Sequence, residues 1–473
     1  MKTKVFFNLM ILLVVVACGQ NRRPGLSDKE LFAQKETTDT LRQELVDFDA
    51  KTYIVPPGIK YTESRAVDPA NPPIVIDIEK ALQRGAENIS LSSIGKSVKY
   101  IKVTIPKDMH FFDFMIRDDT LFVWGSISGT NVQCILPFTL DGKFMNFVWE
   151  VTPKGITKKN HPDIEEEVLL PPEPKTEAKT NNRPPPPPSF SGAPNRSQGE
   201  EIIYSDQVKF DFAGKNVQYT ITRYQDFKNP EYEKHVYSSI NGELKATRYN
   251  KREESYNNTY FMPSIGWIYV YRTLDLWFKK SPWNLITFST RGDTLCRFEN
   301  YNKVTPTNLS AGYSKESITS YFYNDLLTFR TDYADTIFRL AAPNKIIPAY
   351  AINSGKYKLY AVEGLRGQIE NKVYIENIRE TQDFLFISIN SPERKNHVLL
   401  FNKRQKILHL HENEKFANNI DNGPAFYPDK IMSDGKTMAC WFTSSYFQNH
   451  PSTTINNLFP SMAKNSVIFM IIQ

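Results

Sequence analysis

His409 and His411 lie two apart in the run Ile407-Leu408-His409-Leu410-His411-Glu412. In a strand that spacing points both rings to one face. Such a pair can seat zinc, with Glu412 or Glu414 near by. No third ligand is legible, so alternating histidines on a solvated face is the reading, and no metal or cofactor is assigned. Asn419, Asp421 and Gly423 alternate like the opening of a calcium loop, but the later acidic ligands and the terminal Glu are missing. An Asx-type turn explains the same residues. Trp267, Trp277 and Trp283 share one short stretch, where they either stack on sugar rings at an open mouth or fill a core. Arg291-Gly292-Asp293 spells an adhesion tripeptide, yet its place between two apolar runs makes it a hairpin turn. No nucleophile elbow, phosphate loop or dinucleotide fingerprint is present, and no catalytic residue is assigned. Paired carboxylates for glycoside cleavage depend on a separation in space, which residue order does not give.

Cys18 carries a different chemistry. Lys2 and Lys4 precede an apolar run from Val5 to Val16, interrupted only by Asn8, and Ala17-Cys18-Gly19 follows. A basic start, a short apolar core and a small residue before the cut make residues 1–17 a secretory signal peptide. The run is short for a bilayer span. Val15-Val16-Ala17-Cys18 resembles the bacterial lipoprotein box, in which the cysteine is acylated and opens the mature chain. Cys18 is therefore the expected lipidation site. Gly19-Gln20-Asn21-Arg22-Arg23 follows it, and two arginines favour anionic head groups. The expectation is a protein anchored in the outer membrane and facing the periplasm.

The remaining residues must position whatever chemistry exists. Of 473 residues, 58 are Lys or Arg and 52 Asp or Glu, a net charge of +6 with no basic block, which argues against a nucleic-acid partner. Aromatics reach 13 %, with 24 Tyr and 31 Phe, which favours strands. Cys134, Cys296 and Cys440 are widely spaced in apolar contexts, without a CxxC pair. They read as buried small hydrophobes, with one disulfide as the other reading.

Residues 18–72 read as a polar tether, with one weakly periodic helical stretch from Asp28 to Phe48. Residues 73–473 form the folded domain, and Ile94 to Ile105 reads as a strand. Residues 153–199 interrupt it with Pro171-Pro172-Glu173-Pro174 and the run Pro184 to Pro188. Such a segment cannot offset its ordering entropy, and its proline run suits polyproline II. On both flanks, alternating apolar runs meet at tight turns: Asp141-Gly142-Lys143, Ala213-Gly214-Lys215, Asn241-Gly242-Glu243, Arg291-Gly292-Asp293, Ser354-Gly355-Lys356, Asn402-Lys403 and Asp434-Gly435-Lys436. Glycine supplies the positive φ of two-residue hairpins. Long helical periodicity is absent after residue 85. The outcome is an all-β chain, and radial repetition of four-stranded sheets suits its length better than one sandwich; six blades fit.

Three phrases carry a resemblance. Ile89-Ser90-Leu91-Ser92-Ser93-Ile94 with Val98-Lys99-Tyr100-Ile101 is one. Leu327-Thr328-Phe329-Arg330 with Asp335-Thr336-Ile337-Phe338-Arg339-Leu340 and Pro348-Ala349-Tyr350 is the second. Asn418-Asn419-Ile420-Asp421-Asn422-Gly423-Pro424 with Phe426-Tyr427-Pro428 is the third. Together they resemble the six-bladed β-propeller lipoproteins of Bacteroidota. The Gly-rich loop common after that family's first blade is absent here, replaced by the Pro-rich insertion. The resemblance implies the fold more than an activity.

The expected function is a lipid-anchored envelope propeller that binds a ligand or a protein, with Asn419, Asp421 and Tyr427 at the mouth. Its expected partners are the membrane, through the lipid, and an envelope protein or glycan. The alternative is an envelope hydrolase acting on a glycan or ester. A cluster of carboxylates at the channel mouth favours the enzyme; a plugged channel favours binding.

Overall fold

A computed structural model describes residues 61–160, 207–251 and 258–473. Outside the description are 66, 68–71, 118, 129–132, 153–154, 212–217, 225–231, 240–244, 263, 272–281, 290–292 and 301–318. The expected signal peptide, Cys18, the Asp28–Phe48 helix, Trp277 and the proline run lie outside the described residues, as do the glycines of the 213–215, 241–243 and 291–293 turns. No helix among the described residues is long and apolar enough to cross a membrane.

The described residues open with β1 (Ser64–Arg65), β2 (Ile74–Asp77), the short helix α1 (Ile78–Arg84) and β3 (Val98–Thr104). One sheet then follows from β4 (Met109–Arg117), β5 (Thr120–Ile127), β6 (Gln133–Thr139), β7 (Phe147–Thr152) and β8 (Gly155–Asn160). A second comprises β9 (Gln207–Asp211), β10 (Gln218–Tyr224), β11 (Tyr232–Ser239) and β12 (Lys245–Lys251). A third comprises β13 (Asn258–Met262), β14 (Gly266–Val270), β15 (Trp283–Phe288) and β16 (Thr294–Glu299). The next is β17 (Thr319–Tyr323), β18 (Leu326–Arg330), β19 (Thr336–Ala342) and β20 (Lys345–Asn353), followed by helix α2 (Ala361–Leu365). Then come β21 (Tyr374–Glu380), β22 (Phe384–Asn390), β23 (Asn396–Asn402) and β24 (Ile407–His411). The chain ends with β25 (Lys430–Ile431), β26 (Met438–Thr443), helices α3 (Ser444–Asn449) and α4 (Thr453–Leu458), and β27 (Ser466–Ile472).

Within each sheet, sequential strands pair antiparallel, as the alternating runs and hairpin turns predict. Asp434 illustrates the turn chemistry: its carboxylate accepts from the backbone N–H groups of Lys436 and Thr437, beside Gly435 at φ 66°. The last sheet is closed by β3, which runs antiparallel to β27 from Thr104 opposite Ser466 to Val98 opposite Ile472. The two ends of the domain are thus joined in one blade.

Buried clusters join neighbouring sheets face to face. Leu327 and Phe329 pack with Ile268 and Phe298; Ile337 and Tyr350 with Ile387 and Leu399. Phe386 and Phe416 pack with Met438 and Ile468; Phe469 and Ala439 with Phe114 and Leu121. The first strands β4, β13, β17, β21 and β25 of these five sheets line one central cavity. This is a β-propeller, and among the described residues its blades number five where six were expected. The count of six rested on length divided by blade size; the side-chain packing joins five sheets, and the β9–β12 sheet is described through its backbone pairing.

Other boundaries move too. The tether expected to reach residue 72 is already docked at Tyr61, whose N–H bonds to Leu295 O, and β1 and β2 both pair in parallel with β20. The insertion expected from residue 153 starts with β8, which pairs with β7. Ser354-Gly355-Lys356 enters a 3-10 turn instead of a hairpin. Cys134, Cys296 and Cys440 are free and buried, each in a different cluster, as small hydrophobes.

Candidate functional site

Inner strands β21 and β4 each carry a bulge. The register of β21 on β22 slips at Glu376, and that of β4 on β5 slips at Phe112. In both, the next residue secures the bend: Asn377 Oδ1 accepts from Ile378 N–H at 2.9 Å, and Asp113 Oδ1 from Phe114 N–H at 2.9 Å. Bulges re-aim side chains beside functional sites. Here one aims Glu376 into a cavity of about 180 Å³, shared with Ser388, His397, Glu414, Tyr427 and Asp429. Toward the other end of the inner strands lies a second cavity of about 260 Å³.

Charged residues stand where the two cavities meet. Asp429 lines both cavities. Burial pushes its carboxyl up, against the pull of Arg379, Lys415 and Lys430 and a hydrogen bond from Trp441 N–H. Arg379 Nε donates to Asp429 O at 3.0 Å, and its Nη1 to Asn377 Oδ1 at 2.5 Å. Lys430 Nζ meets Asp113 Oδ2 at 2.6 Å, tying β25 to β4. At the far end, the Glu380 carboxylate has no exposure. Its Oε1 accepts from Arg339 Nη2, Lys403 Nζ and Tyr350 OH, each at 2.6 Å, and its Oε2 from Tyr321 OH at 2.9 Å. Burial first, and Glu380 next, push both tyrosine hydroxyls well above their usual range. Both cations also lie over the Tyr323 ring, at 4.4 Å and 4.2 Å. This end of the cavity wall is held by one buried carboxylate tied to two cations and two hydroxyls.

The residues singled out in the sequence fall in three places. Tyr427 lines the 180 Å³ cavity, its hydroxyl accepting from Ser388 Oγ at 2.7 Å, and burial raises its pKa. Asn419 and Asp421 are spent on internal bonds. Asn419 Oδ1 accepts from Ser92 N–H and its Nδ2 donates to Ser92 Oγ, at 3.0 and 2.8 Å. Asp421 Oδ1 accepts from Asn418 Nδ2 at 2.6 Å, Gly423 N–H at 3.0 Å and Tyr100 OH at 3.2 Å. A side chain at Gly423 would strike the Tyr100 hydroxyl, so the close approach demands glycine there. Two of the family-like phrases thus stitch to each other. The third pair, His409 and His411, is split: His409 Nδ1 meets Glu87 Oε1 at 2.5 Å, while His411 is buried and stacked on Phe416. His411 Nδ1 accepts from Ile89 N–H at 3.0 Å, leaving Nε2 to donate to Lys415 O at 3.0 Å. Both its nitrogens are used, and no cluster of three metal-ligating side chains occurs among the described residues. Trp267 is a core residue, packed on Phe261.

Glu376, Asp429 and Glu380 were not singled out. They are lone acids in apolar runs, and only the bulge and the neighbouring blades give them their places.

Radial sheets around a lined channel define a β-propeller. Residues 214–450, half of the chain, match the family described as Domain of unknown function (DUF4933), and the chain belongs to that family. No curated protein sequence matches it. Among solved structures, a prolyl endopeptidase is similar over 71 % of this chain and 46 % of its own, at 9 % identity and a TM-score of 0.31. This chain thus spans under half the length of that protein. The β-propeller domain of the Trilobed protease from Pyrococcus furiosus is similar over 63 % of this chain and 94 % of its own, at 9 % identity and a TM-score of 0.24. A thermostable family-43 glycoside hydrolase matches over 72 % and 98 %, at 11 % identity and a TM-score of 0.22. At these scores the likenesses carry no argument about activity.

Proposed function

We propose that this protein is a lipid-anchored propeller of the cell envelope that works by binding a ligand or a protein partner. One observation carries this reading: Asp429 lines both cavities, with Arg379 bonded to its backbone carbonyl and Lys430 paired with Asp113 beside it. Side chains bonded in this way hold a binding wall rigid. The wall is formed by Glu376, Tyr427 and Asp429, and Asn419 and Asp421 position the loop that carries Tyr427. The signal-like segment and Cys18 support acylation and residence in the outer membrane, and Arg22 and Arg23 support a periplasmic face.

Metabolic labelling with an alkynyl fatty acid tests the anchor: the wild type labels and partitions with membranes, and Cys18→Ser is unlabelled and soluble. Cross-linking pull-down of the intact lipoprotein from its own envelope tests binding. The wild type captures a partner that Glu376→Gln with Tyr427→Phe loses; equal capture by both sinks the channel wall as the binding surface. A second reading, a hydrolase of a glycan or ester, draws on one observation: Glu376 and Asp429 share one cavity, and burial suits Asp429 to an acid role. Turnover of an envelope glycan or ester, abolished by Asp429→Asn, would replace binding with catalysis.

A further inference from the structure

The closing blade and the β4–β8 blade part at the rim and leave an open groove of about 870 Å³. Its floor is aromatic. Trp441, on β26, packs on Phe111 with ring centroids 4.4 Å apart at 59°, and Phe111 rests in turn on Phe469. The bulge in β4 leaves the next residue, Phe112, 47 % exposed and packed on Trp124. Its walls are basic: Lys107, His110 and Lys464 line it, and no carboxylate does. Asp108, between two lining residues, acts on Cys134 of the same blade.

The pairing of these groups sets this groove apart. In the channel, Arg339, Lys403 and Lys430 each meet a carboxylate. Lys107, His110 and Lys464 form no ion pair or side-chain hydrogen bond among the described residues, nor does the Trp441 indole N–H donate one. The backbone around them is nonetheless fixed. Asn465 Nδ2 donates to Ile105 O, Ile105 N–H to Asn465 O at 3.2 Å, and Ser444 Oγ to Lys464 O at 2.6 Å. A rigid groove with uncompensated positive charge over an aromatic plate suits a ligand with negative charge and flat apolar faces.

We infer that this groove binds an acidic oligosaccharide of uronic-acid type. The inference rests on the binding reading above and names the ligand's chemistry at a second site. Sugar rings would lie on Trp441 and Phe111, their carboxylates toward Lys107, His110 and Lys464, with the indole N–H serving a hydroxyl. An extended acidic peptide adding to the free edge of β4 is the competing occupant, and the oligoglutamate arm of the test separates it from a sugar.

Titration calorimetry of the full chain with oligogalacturonate, a neutral glucose oligomer and oligoglutamate tests it. Oligogalacturonate is expected to bind with quenching of tryptophan fluorescence, and the neutral oligomer at least tenfold more weakly. Lys107→Ala with Lys464→Ala, both exposed and unbonded, is expected to weaken oligogalacturonate at least tenfold with unchanged thermal unfolding. Trp441→Phe should weaken it and remove the quench. Oligoglutamate binding as tightly as oligogalacturonate would overturn the inference in favour of an acidic peptide or charge alone, as would an unaffected double-lysine variant. Because the channel variants Glu376→Gln and Tyr427→Phe are read by partner capture, failure at one site is distinguishable from failure at the other.

Discussion

Two cations and two tyrosine hydroxyls converge on the buried carboxylate of Glu380, so removing its charge strands both cations. Glu380→Gln is expected to cost about 3–5 kcal/mol, the usual penalty for breaking a buried ion pair on one side. Urea unfolding measures it, and a loss under about 1 kcal/mol would mean that water already shares the site. Asp429 calls for the opposite sign. Its folded carboxyl titrates above the ordinary 3.8, so the native state resists its ionisation. That cost is absent below the ordinary carboxylate range and grows as pH rises through it. Asp429→Asn should therefore stabilise the protein at pH 7, by about 1 kcal/mol, and the gain should vanish in acid. Paired melts at pH 7 and near pH 3 test this; a destabilised variant at pH 7 would make Asp429 a structural group held by Arg379 and Trp441. An acid retained against stability is what a binding wall or an acid catalyst would leave behind.

At the scale of elements, residues 61–93 act as a belt around the rim. Tyr61 bonds to the third sheet at Leu295, β1 and β2 extend β20, Arg84 reaches Leu408 O, and Glu87 bridges to His411. Ser90 then pairs with Ala417 and Ser92 with Asn419, before β3 closes the last blade. The belt covers the outer edges of β20 and β24, and uncovered edges invite pairing between molecules. A chain beginning at residue 61 is expected to run as a monomer in size-exclusion chromatography. One beginning at residue 89 should associate at the same concentration, and a monomeric, equally stable product would show that the edges need no cover. The belt was not legible in the order of residues, because isolated parallel pairings leave no hairpin turn and little alternation. The blades were legible, because antiparallel hairpins write both signals at once, as Asp434-Gly435-Lys436 between β25 and β26 does. The loop from Asn418 to Gly423 was recognised as special, but the Asn419 oxygen that could face a ligand satisfies the belt's Ser92 N–H, and the Asp421 oxygen is taken by Asn418, Gly423 and the Tyr100 hydroxyl. Glu376 was invisible because a bulge, not a motif, aims it.

For the whole molecule, the decisive contact is the one between β3 and β27, since the four-stranded core of every other described blade is consecutive and β1 and β2 only add outside β20. It holds residues 98–104 against 466–472 with a register that buries all of β27. Parting these two strands leaves the ring open while the other blades stay intact, so global unfolding should begin there. Thr104 faces Ser466, and the Ser466 hydroxyl is buried without a hydrogen-bond partner. Thr104→Cys with Ser466→Cys therefore removes one unsatisfied group and supplies a cross-link across the seam. A bridge closing a loop of several hundred residues is expected to raise unfolding free energy by about 3–5 kcal/mol, mainly by restricting the unfolded chain. The oxidised protein should also unfold more slowly than its reduced form, because a covalent seam blocks the first opening step. Denaturant unfolding and stopped-flow rates with and without reductant separate the two effects. A rise in stability with an unchanged unfolding rate would place the first opening elsewhere in the ring.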